Sequence, residues 1–294
     1  MQSKTDEIGV TIAIPFFNAE RFLLDAIKSV MFQTHSKWEL FLIDDGSTDS
    51  SLDIAKSIND SRVTVLSDGK NKKLASRLNE VTDLARYNYI ARMDADDLMS
   101  PFRLEKQLKL MIDNPHIDLT STGMYSIKSN NTIFGYRGMD FNTITKDDLI
   151  LKKKGILHAS VLAKKDWYLR NKYNESISLG QDVELWIRAS SKYDLSVISI
   201  SEPLYFYREE YNVTKNKLLK AYMLEREVLS CYIDSELYKK LYLAKSLLKS
   251  LTVNILSLCG LLHILLKSRN NFNISRPQYH DFSIIIEKLN KFSV

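Results

Sequence analysis

Cysteine is too scarce in this chain to hold a fold together: only Cys231 and Cys259 occur among 294 residues. Their spacing fits neither a metal site nor a disulfide framework, which suits a reducing compartment and reads both thiols as packing residues. The N-terminus, MQSKTDEIGV, lacks the basic start and apolar stretch of a secretory signal, so the chain is expected to stay in the cytoplasm. Glycine is also sparse, nine residues in all, and none falls between Pro15 and Glu20. The first strand is therefore not followed by a glycine-rich phosphate loop, which argues against a nucleotidyltransferase. Finger, basic-zipper and RNA-recognition signatures are absent, so no nucleic-acid partner is expected despite a net charge of +5. No internal repeat or low-complexity linker divides the sequence.

What remains is ordinary globular composition, 45% hydrophobic and 26% charged, in a chain long enough for a large α/β domain or for one of about 200 residues with an added segment. Short apolar runs alternate with amphipathic stretches through the first hundred residues, the pattern of βαβ units around a mixed, mostly parallel sheet flanked by helices. Strands are predicted at Val10 to Ile14, Trp38 to Ile43, Val63 to Leu66 and Tyr89 to Met93, with helices at Ala19 to Phe32, Leu52 to Ile58 and Ser76 to Ala85 between them. Beyond Asp118 the pattern predicts strands at Leu119 to Tyr125, Thr132 to Tyr136 and Ser160 to Ala163, then a helix from Asp182 to Ser191. This divides the chain into a catalytic domain over 1–214, with halves at about 1–117 and 118–214, and a helical, basic extension over 215–294. The boundary, near Tyr211 to Lys217, rests on composition.

Two acidic clusters sit at predicted carboxyl ends of strands, where open α/β sheets bind ligands. Asp44-Asp45-Gly46-Ser47-Thr48-Asp49 follows the second strand; a turn and a helix cap explain part of it, but two adjacent carboxylates exceed what a turn requires. A carboxylate there can accept hydrogen bonds from a ribose hydroxyl or a base N–H. Asp94-Ala95-Asp96-Asp97 follows the fourth strand, and on an extended segment Asp94 and Asp96 point the same way. Two carboxylates at about 5 Å repel by roughly 3 kcal/mol at an effective dielectric near 20, so a cation is expected beside them. Oxygen ligands suit Mg²⁺ or Mn²⁺. A calcium loop fits less well, because Leu98 and Met99 occupy positions that need an oxygen ligand and a glycine.

Together these clusters resemble glycosyltransferase family 2 in its GT-A, Rossmann-like fold. The resemblance runs from about Val10 to Tyr211 and is carried by Pro15-Phe16-Phe17-Asn18, Asp44 to Asp49, Asp94 to Asp97, and Gln181-Asp182-Val183-Glu184-Leu185-Trp186-Ile187-Arg188. It implies an inverting transfer of one sugar from a nucleotide-diphosphate donor, commonly a UDP-sugar, to a saccharide hydroxyl. Pro15, Phe17, Asn18 and Asp45 would line the nucleotide pocket, with the Phe17 ring on the base in place of the usual Tyr. Arg77, beside Asn79, would reach the nucleotide or its phosphates, and Lys73 stands where the family often has Gly. Asp94 and Asp96 would hold a divalent metal on the diphosphate, with Asp94 also near the nucleotide. Asp182 would be the catalytic base, and Gln181 replaces the Glu that often precedes it.

His158, Gln181 and Arg208 are expected near the acceptor or donor sugar, with Tyr205 and Tyr207 in the same Tyr-Arg segment after the last core strand. Trp186 reads as core. A spanning helix needs about 20 apolar residues, and Leu251 to Leu266 falls short, with Asn254 and His263 inside it. From Lys239 onward nine Lys and Arg face only Asp281 and Glu287. With Lys245, Lys249, Lys267 and Arg269 as flanks, this segment is expected to lie on an anionic membrane, to pack on the domain or to form a dimer contact. Many members of the family build bacterial capsule, O-antigen or exopolysaccharide repeats on lipid carriers, which would place the protein at the inner face of the plasma membrane. The processive Gln-x-x-Arg-Trp motif is absent, which favours single addition. A catalytically silent partner subunit is the rival function, and the intact Asp94, Asp96 and Asp182 speak against it.

Overall fold

The computed structural model describes residues 7–209, 214–262 and 280–291. Nine strands among them form one sheet: β1 (Val10–Phe16), β2 (Trp38–Asp44), β3 (Val63–Ser67), β4 (Tyr89–Arg92), β5 (Leu98–Met99), β6 (Leu119–Ile127), β7 (Ile133–Arg137), β8 (Leu162–Lys164) and β9 (Val197–Arg208). Their order is β3-β2-β1-β4-β8-β6-β9-β5, with β7 added on β6. From β3 to β4 all pairs are parallel. Past β4 the sheet is mixed: β8 runs antiparallel to both β4 and β6, and β9 returns parallel to β6. The fold is therefore mixed α/β, and its parallel half ends in the two acidic clusters.

The alternation of β1 explains the two cores. Ile12 and Ile14 pack against α1 (Leu23–Met31) and, further along the sheet, α4 (Arg103–Asp113), with α2 (Ser51–Lys56) nearby through Ala55. Ala13 faces the other way, toward α3 (Lys73–Leu84), α6 (Lys165–Arg170) and α7 (Gln181–Ser191), and the short α5 (Lys146–Ile150) adds Leu149 and Ile150 there. Trp186 lies in this second core stacked on Trp167, as its helical spacing predicts. Downstream come α8 (Lys215–Glu227), α9 (Glu236–Leu258) and α10 (His280–Lys291). Phe282, Ile285 and Leu289 of α10 pack onto Leu98, Tyr125, Ile127 and Phe206, so the last helix closes the β5 edge of the sheet.

Several expectations shift. The first helix begins at Leu23 rather than Ala19, because the amides of Asn18, Ala19 and Glu20 are spent on Ser47, Ser51 and Asp49. Residues 158–160 form a 3-10 turn, and the strand there starts only at Leu162. Tyr205, Tyr207 and Arg208 do not follow the last core strand; they are its end, within β9. Cys231 and Cys259 are both exposed, the first in a 3-10 turn and the second capping α9, so neither is a packing residue. The boundary region Tyr211 to Val213, and His263 to Leu266 with the flanks Lys267 and Arg269, lie outside the described residues. Among the described residues no helix is long and apolar enough to cross a membrane.

Candidate active site

The acidic turn after β4 is not extended: Asp97 N closes on the Asp94 carbonyl, so Asp94 to Asp97 forms a tight turn between β4 and β5. Asp94 and Asp96 nevertheless line one cavity of about 680 Å³, and Asp182, Gln181 and His158 line it from the other half. Residues more than sixty positions apart thus meet at the carboxyl end of β4. Burial, reinforced by the neighbouring Asp94, pushes the Asp96 carboxyl up from its ordinary range. A cation beside the pair would relieve that cost.

Asp97 has a different role. It is 1% exposed and accepts from Tyr205 Oη at 2.8 Å and from the Arg208 amide at 2.6 Å, while Tyr205 Oη accepts from Asp94 N at 3.1 Å. Arg208 Nε donates to the Asp96 carbonyl and its Nη1 to the Lys128 carbonyl, and the guanidinium stacks over Phe22. Arg208 was expected near the acceptor or donor sugar, but it is buried beneath the turn, and Tyr207 lines the cavity instead. Tyr205 and Arg208 are the residues that hold the acidic turn to β9.

Under the carboxylates lies Arg92, which no motif singles out. Its guanidinium bonds Asp94 through both Nη atoms, and its buried Nε has no partner. Burial works against its charge, but Asp94, Tyr205, Tyr173 and Asp182 together outweigh that and raise its affinity for the proton. An arginine at the end of the otherwise apolar run Tyr89 to Met93 was the available signal. Arg137, Glu209 and Lys217 also line the cavity, and Arg137 pairs with Glu209 at 2.6 Å.

Asp182 stands in the first turn of α7, just after Gly180, whose φ of +75° sets the entry into the helix. Burial raises its carboxyl above the ordinary range, against the opposing pull of Arg92. Gln181, 8% exposed, also lines the cavity, and its Oε1 has no partner. His158 is buried with Nε2 at 2.7 Å from Tyr173 Oη and Nδ1 4.0 Å from Asp182. Burial, with Arg92 adding, holds His158 well below its usual pKa, so the ring is neutral.

The other predicted residues form a separate cradle at the ends of β1 and β2, outside the lining of that cavity. Pro15 lies in β1, and Phe17 just beyond it leaves its ring 49% exposed, available for stacking. Asn18, at φ +50°, accepts from Thr48 N at 2.8 Å and donates its own amide to Ser47 Oγ. Asp45 accepts from Lys72 N, Lys73 N and Arg77 Nε at 2.8, 3.1 and 2.9 Å, which leaves about one acceptor position of its roughly four. Arg77, expected to reach a nucleotide, is 1% exposed and spends its guanidinium on Asp45, Asp68, Glu80 and the Lys70 carbonyl. It shapes the loop rather than projecting from it. Lys73 holds φ +72°, the conformation a glycine would favour at that position. Asn79 faces away, bonding Tyr173 and Glu175.

Among the described residues no group of three or more His, Cys, Asp or Glu could hold a metal alone. Two carboxylates are still the donor set that Mg²⁺ or Mn²⁺ uses when phosphates and water complete its shell, so Asp94 and Asp96 fit such an ion.

A GT-A type sheet with two acidic clusters at the strand ends and a recessed carboxylate opposite defines a glycosyltransferase class. The Glycosyl transferase family 2 profile matches residues 11–171, and the chain belongs to that family. It is 29% identical over 252 residues to EpsE of Bacillus subtilis (strain 168), provisionally named a glycosyltransferase, covering 82% of this chain and 88% of that one. It is 29% identical over 238 residues to WfgD of Escherichia coli, named as a UDP-Glc:alpha-D-GlcNAc-diphosphoundecaprenol beta-1,3-glucosyltransferase, covering 81% of this chain and 92% of the other. Among solved structures, S. aureus TarS 1-349 with UDP-GlcNAc superposes with a TM-score of 0.60 at 15% identity, over 96% of this chain and 80% of that one. The mannosyltransferase PcManGT from Pyrobaculum calidifontis, with GDP-Man and Mn²⁺, gives 0.60 at 13% identity, over 96% and 86%. At these identities the two structures share the fold.

Proposed function

We propose that this protein transfers one sugar, with inversion, from a nucleotide-diphosphate donor, most simply a UDP-sugar, to a hydroxyl of a lipid-linked saccharide in cell-surface polysaccharide synthesis. The observation that carries the reading is the meeting of Asp94, Asp96 and Asp182 on one cavity from opposite halves of the fold. The UDP-Glc in WfgD's name and the UDP-GlcNAc bound in the TarS structure support a uridine nucleotide. WfgD's diphosphoundecaprenol acceptor supports a lipid carrier, and with it a place at the inner face of the plasma membrane.

In this reading the nucleotide lies across the β1–β2 cradle, with its base on Phe17 and a base or ribose donor on the remaining position of Asp45. Pro15 and Asn18 shape the loop beneath it. Asp94 and Asp96 would hold Mg²⁺ or Mn²⁺, which when bound neutralises charge on the diphosphate. Asp182 takes the proton of the acceptor hydroxyl as its oxygen forms the new bond to the anomeric carbon. The bond from that carbon to the diphosphate oxygen breaks on the opposite face, and its electron pair leaves with the nucleoside diphosphate. A raised pKa makes Asp182 a stronger base than an exposed carboxylate. Gln181, which lines the same cavity beside Asp182, would contact the donor or acceptor sugar.

Calorimetric titration with nucleoside diphosphates and nucleotide sugars, with and without Mn²⁺, tests this directly. Metal-dependent binding of one nucleotide is expected; indifference to every nucleotide would sink the donor site.

A further inference from the structure

The outward face of α9 carries an apolar stripe that the described residues leave uncovered. Leu237, Leu241, Leu248, Leu251, Ile255 and Leu258 recur at alternating intervals of four and three, with the exposed Ala244 filling the one gap. Each of the six is between 51% and 85% exposed. At 1.5 Å per residue the stripe runs for about 32 Å. An isolated surface leucine needs no explanation, but a continuous row of this length does. The opposite face is the one α9 packs with: Ser246 and Val253 are buried, and Arg226 of α8 bonds Ser246 and Ser250.

A heptad row can meet another helix or a flat apolar phase, and charge separates the two. Within α9 the only acid is Glu236, whereas Lys239, Lys240, Lys245 and Lys249 are basic, and exposed Lys240 and Lys245 sit beside the row. A second copy would set lysines against lysines with no acidic counterpart beside the seam. An anionic lipid surface supplies the missing charge and accepts the leucines together. The helix does not qualify as a span. It has the makeup of one that lies in the interface.

The helix behind α9 reaches the active site. Lys217 of α8 lines the catalytic cavity, and Leu224 fills the space a side chain on Gly180 would occupy, two residues before Asp182. Glu225 of α8 pairs with Lys152 and with Lys249 of α9. One helix therefore ties the cavity rim to the apolar stripe.

We propose that α9 docks on anionic lipid through the Leu237-to-Leu258 stripe, and that the α8–α9 pair thereby holds the cavity beside a membrane-borne acceptor. The docking stands by itself; its service to a lipid-linked acceptor rests on the function proposed above. The test is flotation of the full chain with phosphatidylcholine vesicles, with and without phosphatidylglycerol, beside analytical ultracentrifugation and nucleotide titration. Binding to anionic vesicles is expected to exceed that to neutral ones by a factor on the order of ten and to fall in high salt. Leu248→Glu/Leu251→Glu, at exposed positions, should abolish vesicle binding while nucleotide affinity is unchanged. Failure to bind anionic vesicles, or binding that survives the double substitution, overturns the proposal. So does a dimer that the same substitutions dissociate, which would make the stripe a seam between copies. Vesicle binding without sugar transfer would leave the docking intact and remove the enzymatic reading.

Discussion

His158 Nδ1 lies 4.0 Å from the carboxylate of Asp182, while the other ring nitrogen is 2.7 Å from Tyr173 Oη. The ring is neutral, so this is a dipole facing a carboxylate rather than an ion pair. The favourable tautomer keeps the proton on Nδ1, with Tyr173 donating to Nε2. Asp182→Asn removes the proposed base without changing the shape of the site. Transfer should fall by about 10² to 10⁴ while nucleotide affinity stays near wild type, read by single-turnover rates beside titration. An Asp182→Asn enzyme at full rate would dismiss the base.

Buried and neutral, His158 also links stability to pH. Its folded pKa lies below the unfolded value of about 6.5, so the unfolded chain binds the extra proton between the two. The stability present above pH 6.5 is therefore lost as pH falls below it, by up to about 1.4 kcal/mol per unit. Urea unfolding of wild type and His158→Gln at pH 5 and pH 7.5 checks this. The wild type should lose more on acidification, and equal losses would exclude a buried neutral ring.

Arg77 predicts a split between binding and catalysis. Arg77→Met leaves Asp45 buried without its cation and should cost about 3 kcal/mol, at the low end for a buried pair because Asp68 and Glu80 are partly exposed. Donor affinity should drop with the Asp45 loop, and turnover at saturating donor should change much less. Arg77→Lys cannot bond three carboxylates and a carbonyl at once, so little rescue is expected. Thermal unfolding and the KM-against-kcat comparison decide it.

Gly180 is the fourth test. Its φ is +75°, and a Cβ there would meet Leu224 Cδ2 at 2.1 Å. Gly180→Ala combines a disfavoured backbone with overpacking and should destabilise by about 2 to 4 kcal/mol, with a lower kcat because the α7 terminus carrying Asp182 shifts. Adding Leu224→Ala should return part of the loss, since it clears the clash and leaves the backbone cost. No recovery in the double variant would place the damage elsewhere.

The parallel half of the sheet was legible because its strands are apolar runs and its helices keep their apolar residues on one face. α4 was not, since its buried face includes Arg103 and Gln107, which bond the carbonyls of Arg92, Val161, Thr120 and Ser160 and read as surface residues in sequence. β9 was hidden by Ser199, Ser201, Glu202 and Pro203, near which its register with β6 shifts. Within the site, carboxylates at strand ends announced themselves. The difference between Asp96, which lines the cavity, and Asp97, which anchors β9, depends on a tight turn that alternation does not show. Arg77 and Arg208 were read as ligand contacts because sequence reveals a cation but not the carboxylates and carbonyls folded around it.

The loops after β1 and β2 are laced together by bonds running both ways: Asn18 with Ser47 and Thr48, Ala19 with Ser51, and Glu20 with Asp49 and Ser50. Segments thirty residues apart in sequence therefore act as a single rigid platform before any ligand arrives. Ordering a free side chain on binding costs about 0.5 to 1.5 kcal/mol, and here most of that entropy has already been surrendered in folding. With the nucleotide bound as proposed, discrimination among bases falls to the few groups left unengaged, the Phe17 ring and the last acceptor position of Asp45.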